Sequence, residues 1–245
     1  MKKISSLLIG VLLIFSTFVI VNPVSAATIT VNAGDSIQAA INSASPGDTI
    51  QIAAGSFTES ITITKSLTIK GSGTATVITN NMHVVTVSAS DVTIRDFTIK
   101  PVGCYGINIG NANNVNIINV EVTGNTLAYT ENEVGLKVAT TAHLTNLYVE
   151  GCKFNYCDYG WYIAKNLSDT SNLQYVKVYN TEFMNNDFKG LYIEKLSDAV
   201  FKDVKIYNNG TKDFWNMAWN GGMDINLKGM DYRNLTLENL DIRGN

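Results

Sequence analysis

Residues 115–122 read VNIINVEV, and the pattern in this stretch decides the fold. Apolar residues occupy its first, third, sixth and eighth positions, and a polar residue that favours turns occupies the fifth. The pattern recurs six times, in copies that begin at Val92, Val115, Leu147, Val176, Ala199 and Leu235. The fifth position is filled in turn by Asp96, Asn119, Gly151, Asn180, Asp203 and Asn239. A signature that returns in this way predicts a repeat architecture.

The fifth position predicts a bend within each copy. Asn, Asp and Gly are the residue types that adopt left-handed backbone torsions at low cost. The apolar residues on either side alternate with period two, which is the pattern of strands with one buried face. Each copy is therefore predicted to form two short strands joined by a tight bend.

A second pattern, glycine-apolar-any-apolar, lies between the copies and predicts a third strand. It begins at Gly106, Gly135, Gly160, Gly190 and Gly222, at intervals of 29, 25, 30 and 32 residues. Three strands per repeat describe one coil of an all-β, single-stranded parallel β-helix, in which each coil rises about 4.8 Å. A β-sandwich also shows alternation, but its strands do not repeat one three-part signature with a bend in fixed register.

The N-terminal residues predict export. Lys2 and Lys3 precede an apolar stretch over 7–21, and the small-residue run 24–27 follows Pro23. We expect a signal peptide over 1–26 and a β-helix domain over 27–245, without a transmembrane segment after cleavage. A retained membrane anchor is the alternative, although the apolar stretch is near the short limit for a span. Because the sequence stops just after a bend, further coils are expected beyond Asn245.

A short helix is predicted to cap the first coil. Residues 35–38 have the spacing of a capping box, with Asp35 as the N-cap and Gln38 at the third helical position. Ile37, Ala40 and Ile41 then form an apolar stripe at helical spacing. Such a helix would shield the interior and the strand edges at the N-terminal end of the stack.

Charge and cysteine content exclude some classes of function. The 18 basic and 21 acidic residues form no basic patch, so nucleic acid is not expected as a partner. Three cysteines are too few for a disulfide framework. Cys152 stands at an apolar position of the repeat and is expected to be a buried thiol. Cys104 and Cys157 could pair outside the cell. Three glycosylation sequons begin at Asn166, Asn209 and Asn234.

The segment Ser36–Gly73 reads SIQAAINSASPGDTIQIAAGSFTESITITKSLTIKGSG and resembles the opening region of the pectin lyase-like right-handed β-helix superfamily. The resemblance implies this architecture for the whole mature chain, but it implies little about activity because one fold hosts many functions. In members that act on polysaccharides, the substrate lies across the glycine strand and its neighbouring loops. In this chain the outward residues of that strand are Asn108, Lys137, Tyr162, Tyr192 and Asp224.

An enzyme would require a particular set of side chains on that face. A hydrolase needs two carboxylates beside one glycosidic bond, and a lyase would typically need carboxylates that bind Ca²⁺ and a basic residue. The catalytic candidates are Glu133, Asp158, Asp187 and Asp224, with Lys137 as the basic residue. The sequence has no Asp-Asp pair and no Gly-His-Gly. A lyase or hydrolase of acidic polysaccharide is therefore the alternative, and Ca²⁺ is the only cofactor expected, in the lyase case.

Aromatic residues favour carbohydrate binding instead. Tyr162 and Tyr192 share the outward column in neighbouring coils, and Trp215 and Trp219 stand in an adjacent polar loop. Flat aromatic faces stack on sugars, and exposed aromatic clusters usually mark binding sites. We therefore expect a secreted or cell-surface protein that binds a glycan or contributes to a surface layer with other cell-envelope proteins. Packing of these aromatics beneath the loops or against a partner domain is the competing interpretation.

Overall fold

The chain winds into the stacked coils of a parallel β-helix. The computed structural model describes residues 25–125, 133–168, 170–210, 220–229 and 232–245, so all but the end of the predicted signal peptide lies outside the described residues. Within these ranges, every strand pairing between neighbouring coils is parallel, for example Val115 with Val92 and Val115 with Leu147. The predicted all-β architecture is confirmed. In the described part of the chain, no helix has the length and apolar character needed to cross a membrane.

The strands form two sheets, of which the larger has two arms. Its first arm contains Thr28–Val31, Thr49–Ile52, Thr68–Lys70, Leu144–Glu150, Leu173–Tyr179, Ala199–Lys202 and Leu235–Glu238. Its second arm contains Gly55–Thr58, Thr76–Asn80, Lys153–Asn155, Glu182–Met184, Lys205–Tyr207 and Asp241–Arg243. The long strands Val92–Pro101 and Ala112–Thr123 run through both arms. The other sheet, named here the glycine-strand sheet, contains Ile61–Ile63, Val85–Val87, Tyr105–Ile109, Val134–Val138, Tyr159–Ile163, Lys189–Ile193 and Gly221–Ile225.

The bends between the two arms have the predicted left-handed geometry. All six fifth-position residues have positive φ, from 48° at Asn180 to 64° at Gly151. A second left-handed column was not predicted, and it comprises Asp91, Asn114, Asn146, Tyr175, Asp198 and Asn234. Each of these residues immediately precedes a copy of the repeat. Asp91, Asp198 and Asn234 directly precede a strand, whereas Asn114, Asn146 and Tyr175 are the third residues of theirs. Side-chain amides join successive coils along this column, as in the 2.8 Å bond that Asn146 Nδ2 donates to Asn114 Oδ1.

The glycines of the third strand are required by close packing between coils. A Cβ atom at Gly135 would lie 2.5 Å from the carbonyl oxygen of Gly160. The corresponding distances are 2.4 Å from Gly160 to the oxygen of Gly190 and 2.6 Å from Gly190 to that of Gly222. None of these four glycines has a positive φ. The repeated glycine therefore provides space where each coil contacts the next.

The interior combines apolar columns with one ladder of asparagine amides. Trp161 is fully buried, and its ring meets those of Phe154 and Phe183 edge-on. Beside them, Asn186 Nδ2 donates to Asn209 Oδ1 at 2.8 Å, and Asn209 Nδ2 donates to Asn245 Oδ1 at 2.9 Å. Asn209 is fully buried, so the sequon that it begins is not available for glycosylation in the folded chain.

The cap helix Ile37–Ser43 is present, but its N-cap is Ser36, so the prediction of Asp35 is wrong. The Ser36 hydroxyl accepts a hydrogen bond from Ala39 N at 3.1 Å, whereas Asp35 accepts one from the preceding turn, at Asn32 N. The carboxylate of Glu59 accepts hydrogen bonds from the first two helical amides, Ile37 N at 2.8 Å and Gln38 N at 3.2 Å. The acidic half of the cap thus comes from the next coil. The predicted apolar stripe is buried.

The three cysteines are buried free thiols. Cys152 occupies the core, as its place in the repeat predicted. Cys104 and Cys157 do not pair, so the disulfide considered from the sequence is absent. Burial raises the pKa of Cys157 well above its ordinary value, and nearby Glu133 raises it further. These thiols therefore stay protonated and act as small apolar side chains.

Candidate functional site

The outward residues of the glycine-strand sheet form one column across successive coils. Lys137 is in register with Asn108 on one side and with Tyr162 on the other. Tyr162 is paired with Tyr192, and Tyr192 is paired with Asp224. The placement of all five residues on one outward column is therefore as the sequence predicted.

The centre of this column is a stack of two tyrosines with a lysine above them. The rings of Tyr162 and Tyr192 have centroids 5.2 Å apart and planes inclined by 26°. Lys137 Nζ lies 3.8 Å from the centroid of the Tyr162 ring, a distance typical of a cation–π contact. Tyr159 packs edge-on against Tyr162 at 5.0 Å. We name Lys137, Tyr159, Tyr162 and Tyr192 the tyrosine platform.

A second column on the same sheet was missed by the sequence reasoning. It contains the residue immediately before each glycine of the pattern, which is Tyr105, Val134, Tyr159, Lys189 or Gly221 in successive coils. Tyr105 and Tyr159 are half-buried, whereas Val134 and Lys189 are buried. The sequence signal was therefore available, one residue upstream of the motif. In the coil before Tyr105, the His83 ring stacks on the Tyr105 ring at 4.2 Å with planes only 5° apart.

The His83–Tyr105 pair forms one wall of a shallow pocket. The pocket has a volume of about 330 Å³ and is lined by Asn81, Met82, His83, Gly103, Cys104 and Tyr105. Cys104 Sγ contacts the carbonyl oxygen of Met82 at 3.0 Å, which ties the two segments together. Burial lowers the pKa of His83, so its imidazole is neutral at pH 7.

Glu194 organises the charges beside the platform. Its carboxylate pairs with the Lys228 ammonium, accepts a hydrogen bond from the Tyr192 hydroxyl and accepts another from Lys165 N at 2.8 Å. Burial alone would raise the pKa of Glu194, but these donors outweigh it and leave the pKa lowered. Burial lowers the pKa of Lys137 to about 8, although Glu194 partly opposes that shift. The Lys137 ammonium therefore loses its proton just above neutral pH.

Three of the four candidate acids are buried in the turns that lead into the glycine strands. Glu133 Oε1 accepts a hydrogen bond from Gly103 N at 3.1 Å, and its Oε2 accepts one from Asn125 N at 2.7 Å. Asp158 Oδ2 accepts a bond from Glu133 N at 2.9 Å. Burial raises the pKa of Glu133, with further contributions from Asp158 and Asp187. The carboxylates of Glu133 and Asp158 therefore hold the turns in place.

The fourth candidate, Asp224, lies on the outward column and pairs with the ammonium of Lys189. The four acids therefore do not converge on one point of the outer face. Within the described ranges, no group of three or more His, Cys, Asp or Glu side chains is arranged to hold a metal ion. The Ca²⁺ expected for a lyase has no matching ligand set in that part of the chain. Trp215 and Trp219 lie outside the described residues.

Comparisons with known proteins agree with this architecture. The family model described as "Right handed beta helix region" matches residues 83–245. No curated protein matches the chain by sequence. The solved structure of an alginate lyase from Paenibacillus sp. str. FPU-7 superposes with a TM-score of 0.60 at 14% identity, over 87% of this chain and 75% of that one. At this identity the likeness concerns the fold.

Two further solved structures match with lower scores. Pectate lyase Pel9A gives a TM-score of 0.43 at 12% identity, over 82% of this chain and 58% of that one. The A-module of the Azotobacter vinelandii mannuronan C-5 epimerase AlgE6 gives 0.39 at 19% identity, over 71% and 66% of the two chains.

Proposed function

The chain belongs to the right-handed β-helix family and has the pectin lyase-like architecture, and from this premise we propose that it binds an acidic polysaccharide on the tyrosine platform. The observation that carries the proposal is the stacked pair Tyr162–Tyr192, with the Lys137 ammonium over the Tyr162 ring. The faces of the Tyr162 ring are covered by Tyr192 and Lys137, so a sugar would pack against the outward edges of the two rings, which the rigid sheet holds in place at low entropic cost. A cation beside them favours a sugar that carries a carboxylate.

The charges on this face support an acidic ligand. Lys189 is paired with Asp224, and Lys228 is paired with Glu194. Lys137 instead lies against an aromatic ring, so its positive charge can pair with a carboxylate of the ligand. Because the pKa of Lys137 is about 8, the amine is mostly protonated at pH 7 and neutral at pH 9. Binding of an acidic glycan should therefore weaken as the pH rises through that range.

The fold comparison is consistent with a polysaccharide ligand. The structural neighbour from Paenibacillus is named as an alginate lyase, and alginate is an acidic polysaccharide. We infer that this binding takes place outside the cytoplasm, because residues 1–26 are predicted to be an export signal. A structural role in a surface layer with other cell-envelope proteins needs the same rigid rod and predicts no loss of function when the platform is removed.

Lyase activity is the second candidate function, because Lys137 has a lowered pKa and lies against the ring of Tyr162. In a β-elimination, neutral Lys137 would take the proton α to a uronate carboxylate. The electron pair released would form the carbon–carbon double bond as the glycosidic C–O bond breaks. The departing oxygen would take the proton of the Tyr162 phenol. This phenol is protonated before the reaction, because burial raises its pKa. This reaction would speed up as the pH rises through about 8, opposite to binding.

A binding experiment with a matched control tests the proposal. Isothermal titration of the mature chain with hexamers of mannuronate or galacturonate measures the affinity. The double variant Tyr162→Ala, Tyr192→Ala should lose binding. The control is Tyr148→Ala, Tyr179→Ala, which removes another half-buried pair, with centroids 5.9 Å apart, from the first arm of the larger sheet. Equal affinity for both double variants would refute the proposal.

An ultraviolet assay for unsaturated products tests the second candidate. Incubation of the chain with either polymer, at pH 7 and pH 9 and with or without EDTA, should yield product that increases with pH and is insensitive to the chelator. Lys137→Met should abolish that product. Product formation unchanged by Lys137→Met would rule out this lysine as the base.

A further inference from the structure

The His83–Tyr105 pocket offers a second aromatic surface on the face that holds the tyrosine platform. Its two rings are parallel and 4.2 Å apart, closer than those of Tyr162 and Tyr192. Met82 stands at its rim with 66% of its surface exposed, and Val102 nearby is 48% exposed. The volume of about 330 Å³ falls at the lower end of the range for small-ligand sites, which suits one sugar ring.

The polar groups of the pocket suit hydroxyls better than carboxylates. Its six lining residues include no lysine or arginine. Tyr105 N donates to His83 Nδ1 at 3.4 Å, so the neutral imidazole carries its hydrogen on Nε2 and can act there as a donor. The Asn81 amide and the Tyr105 hydroxyl add groups that both donate and accept. Neutral groups of this kind match the hydroxyl edge of a sugar.

The register of the sheet aligns the pocket with the platform. Tyr105 is paired with Val134, and Val134 is paired with Tyr159, so Tyr105 precedes Tyr159 by two coils in the same column. Two coil rises correspond to about 10 Å. Tyr105 is close enough to Tyr162 to contribute to the raised pKa of that phenol, after burial and Glu194. Between them lies Lys137, in register with Asn108 and Tyr162.

We propose that the His83–Tyr105 pocket is a second sugar subsite, which binds a unit of the same polysaccharide chain through its ring face and hydroxyls. The inference rests on the proposed binding function. The glycan then runs along the helix axis, with one segment on the platform and another two coils toward the N-terminal cap. The carboxylate is recognised at Lys137, and the pocket binds the hydroxyl edge of its own sugar unit.

The length dependence of binding tests the subsite. Titrations with uronate oligomers from dimer to hexamer should show an affinity that rises once the oligomer spans both surfaces. Tyr105→Ala should reduce the affinity for the hexamer roughly tenfold and leave the affinity for the dimer unchanged. His83→Ala is the second variant, because it removes the partner ring while the Tyr105 backbone and its strand stay intact. Tyr148→Ala is the matched control, and circular dichroism verifies that each variant is folded.

The outcomes separate the two proposals. Loss of hexamer affinity alone in Tyr105→Ala and His83→Ala supports the subsite. If Tyr162→Ala, Tyr192→Ala abolishes binding while both pocket variants bind every oligomer as the wild type does, the subsite is refuted and the platform stands. Equal loss of dimer and hexamer affinity also refutes a separate subsite. If the wild-type chain binds none of the oligomers, both proposals fail.

Discussion

Substitution of Gly160 tests the reason why glycine recurs in the third strand. In Gly160→Ala the new methyl group would lie 2.4 Å from the carbonyl oxygen of Gly190, 3.0 Å from Phe183 Cδ1 and 3.1 Å from Asn186 Nδ2. Ordinary contacts between heavy atoms are about 3.5–4.0 Å, so the two coils must separate by about 1 Å. Overpacking of this kind costs about 1–3 kcal/mol. For a domain of this size that corresponds to a loss of about 2–12 °C in melting temperature.

Gly221 supplies the matched control. A Cβ atom added at Gly221 would have no heavy atom within 4 Å, and the φ of this residue is not positive. Gly221→Ala should therefore leave the melting temperature unchanged or raise it slightly. Alanine reduces the conformational entropy of the unfolded chain, which stabilises the folded state by about 0.4–1 kcal/mol. Thermal melts followed by circular dichroism compare both variants with the wild type. A Gly160→Ala variant that melts with the wild type would refute the close-approach explanation, as would an equal loss in Gly221→Ala.

Three further predictions concern charged groups. Lys137→Met should weaken binding of a uronate hexamer at pH 7. Because the pKa of Lys137 is about 8, the wild-type affinity should fall towards that of the variant as the pH rises from 7 to 9. A wild-type affinity that does not change with pH would contradict this prediction. Lys195→Met should cost at least about 3 kcal/mol, because the buried ammonium donates to Ala139 O, Thr140 O and Ala142 O at 3.0, 2.7 and 2.8 Å. Urea unfolding of Lys205→Met, which loses an exposed pair with Glu182, should show a far smaller change. Glu59→Ala should cost about 1 kcal/mol in the same assay, because two amides of the cap helix lose their acceptor; an unchanged midpoint would show that Ser36 alone caps the helix.

The repeat made the fold and the outward column predictable. A residue such as Asn180 marks a left-handed bend by its type alone, and equivalent positions in successive coils must then lie above one another. Tyr162 and Tyr192 therefore could be placed side by side although they are 30 residues apart in the sequence. The second aromatic column, which includes Tyr105, carried the same signal one residue upstream, where no motif was sought.

Contacts that depend on how turns fold were not predictable. Glu59 reaches the cap helix from the following coil, and local spacing pointed to Asp35 instead. Glu133 was a catalytic candidate on the outer face, but the fold of its turn directs its carboxylate to the backbone amides of Gly103 and Asn125. Lys195 contacts carbonyls more than 50 residues earlier in the chain. In each case the partner is set by the packing of neighbouring coils, which residue types alone do not encode.

Nuclear magnetic resonance of the chain labelled in its tyrosine rings tests the binding surface most directly. On titration with a uronate hexamer, the ring signals of Tyr162 and Tyr192 should shift together and saturate with one affinity. Those of Tyr148 and Tyr179, on the first arm of the larger sheet, should remain where they are. Signals of Tyr148 and Tyr179 that shift while those of Tyr162 and Tyr192 stay fixed would place the glycan on a different face and contradict the account.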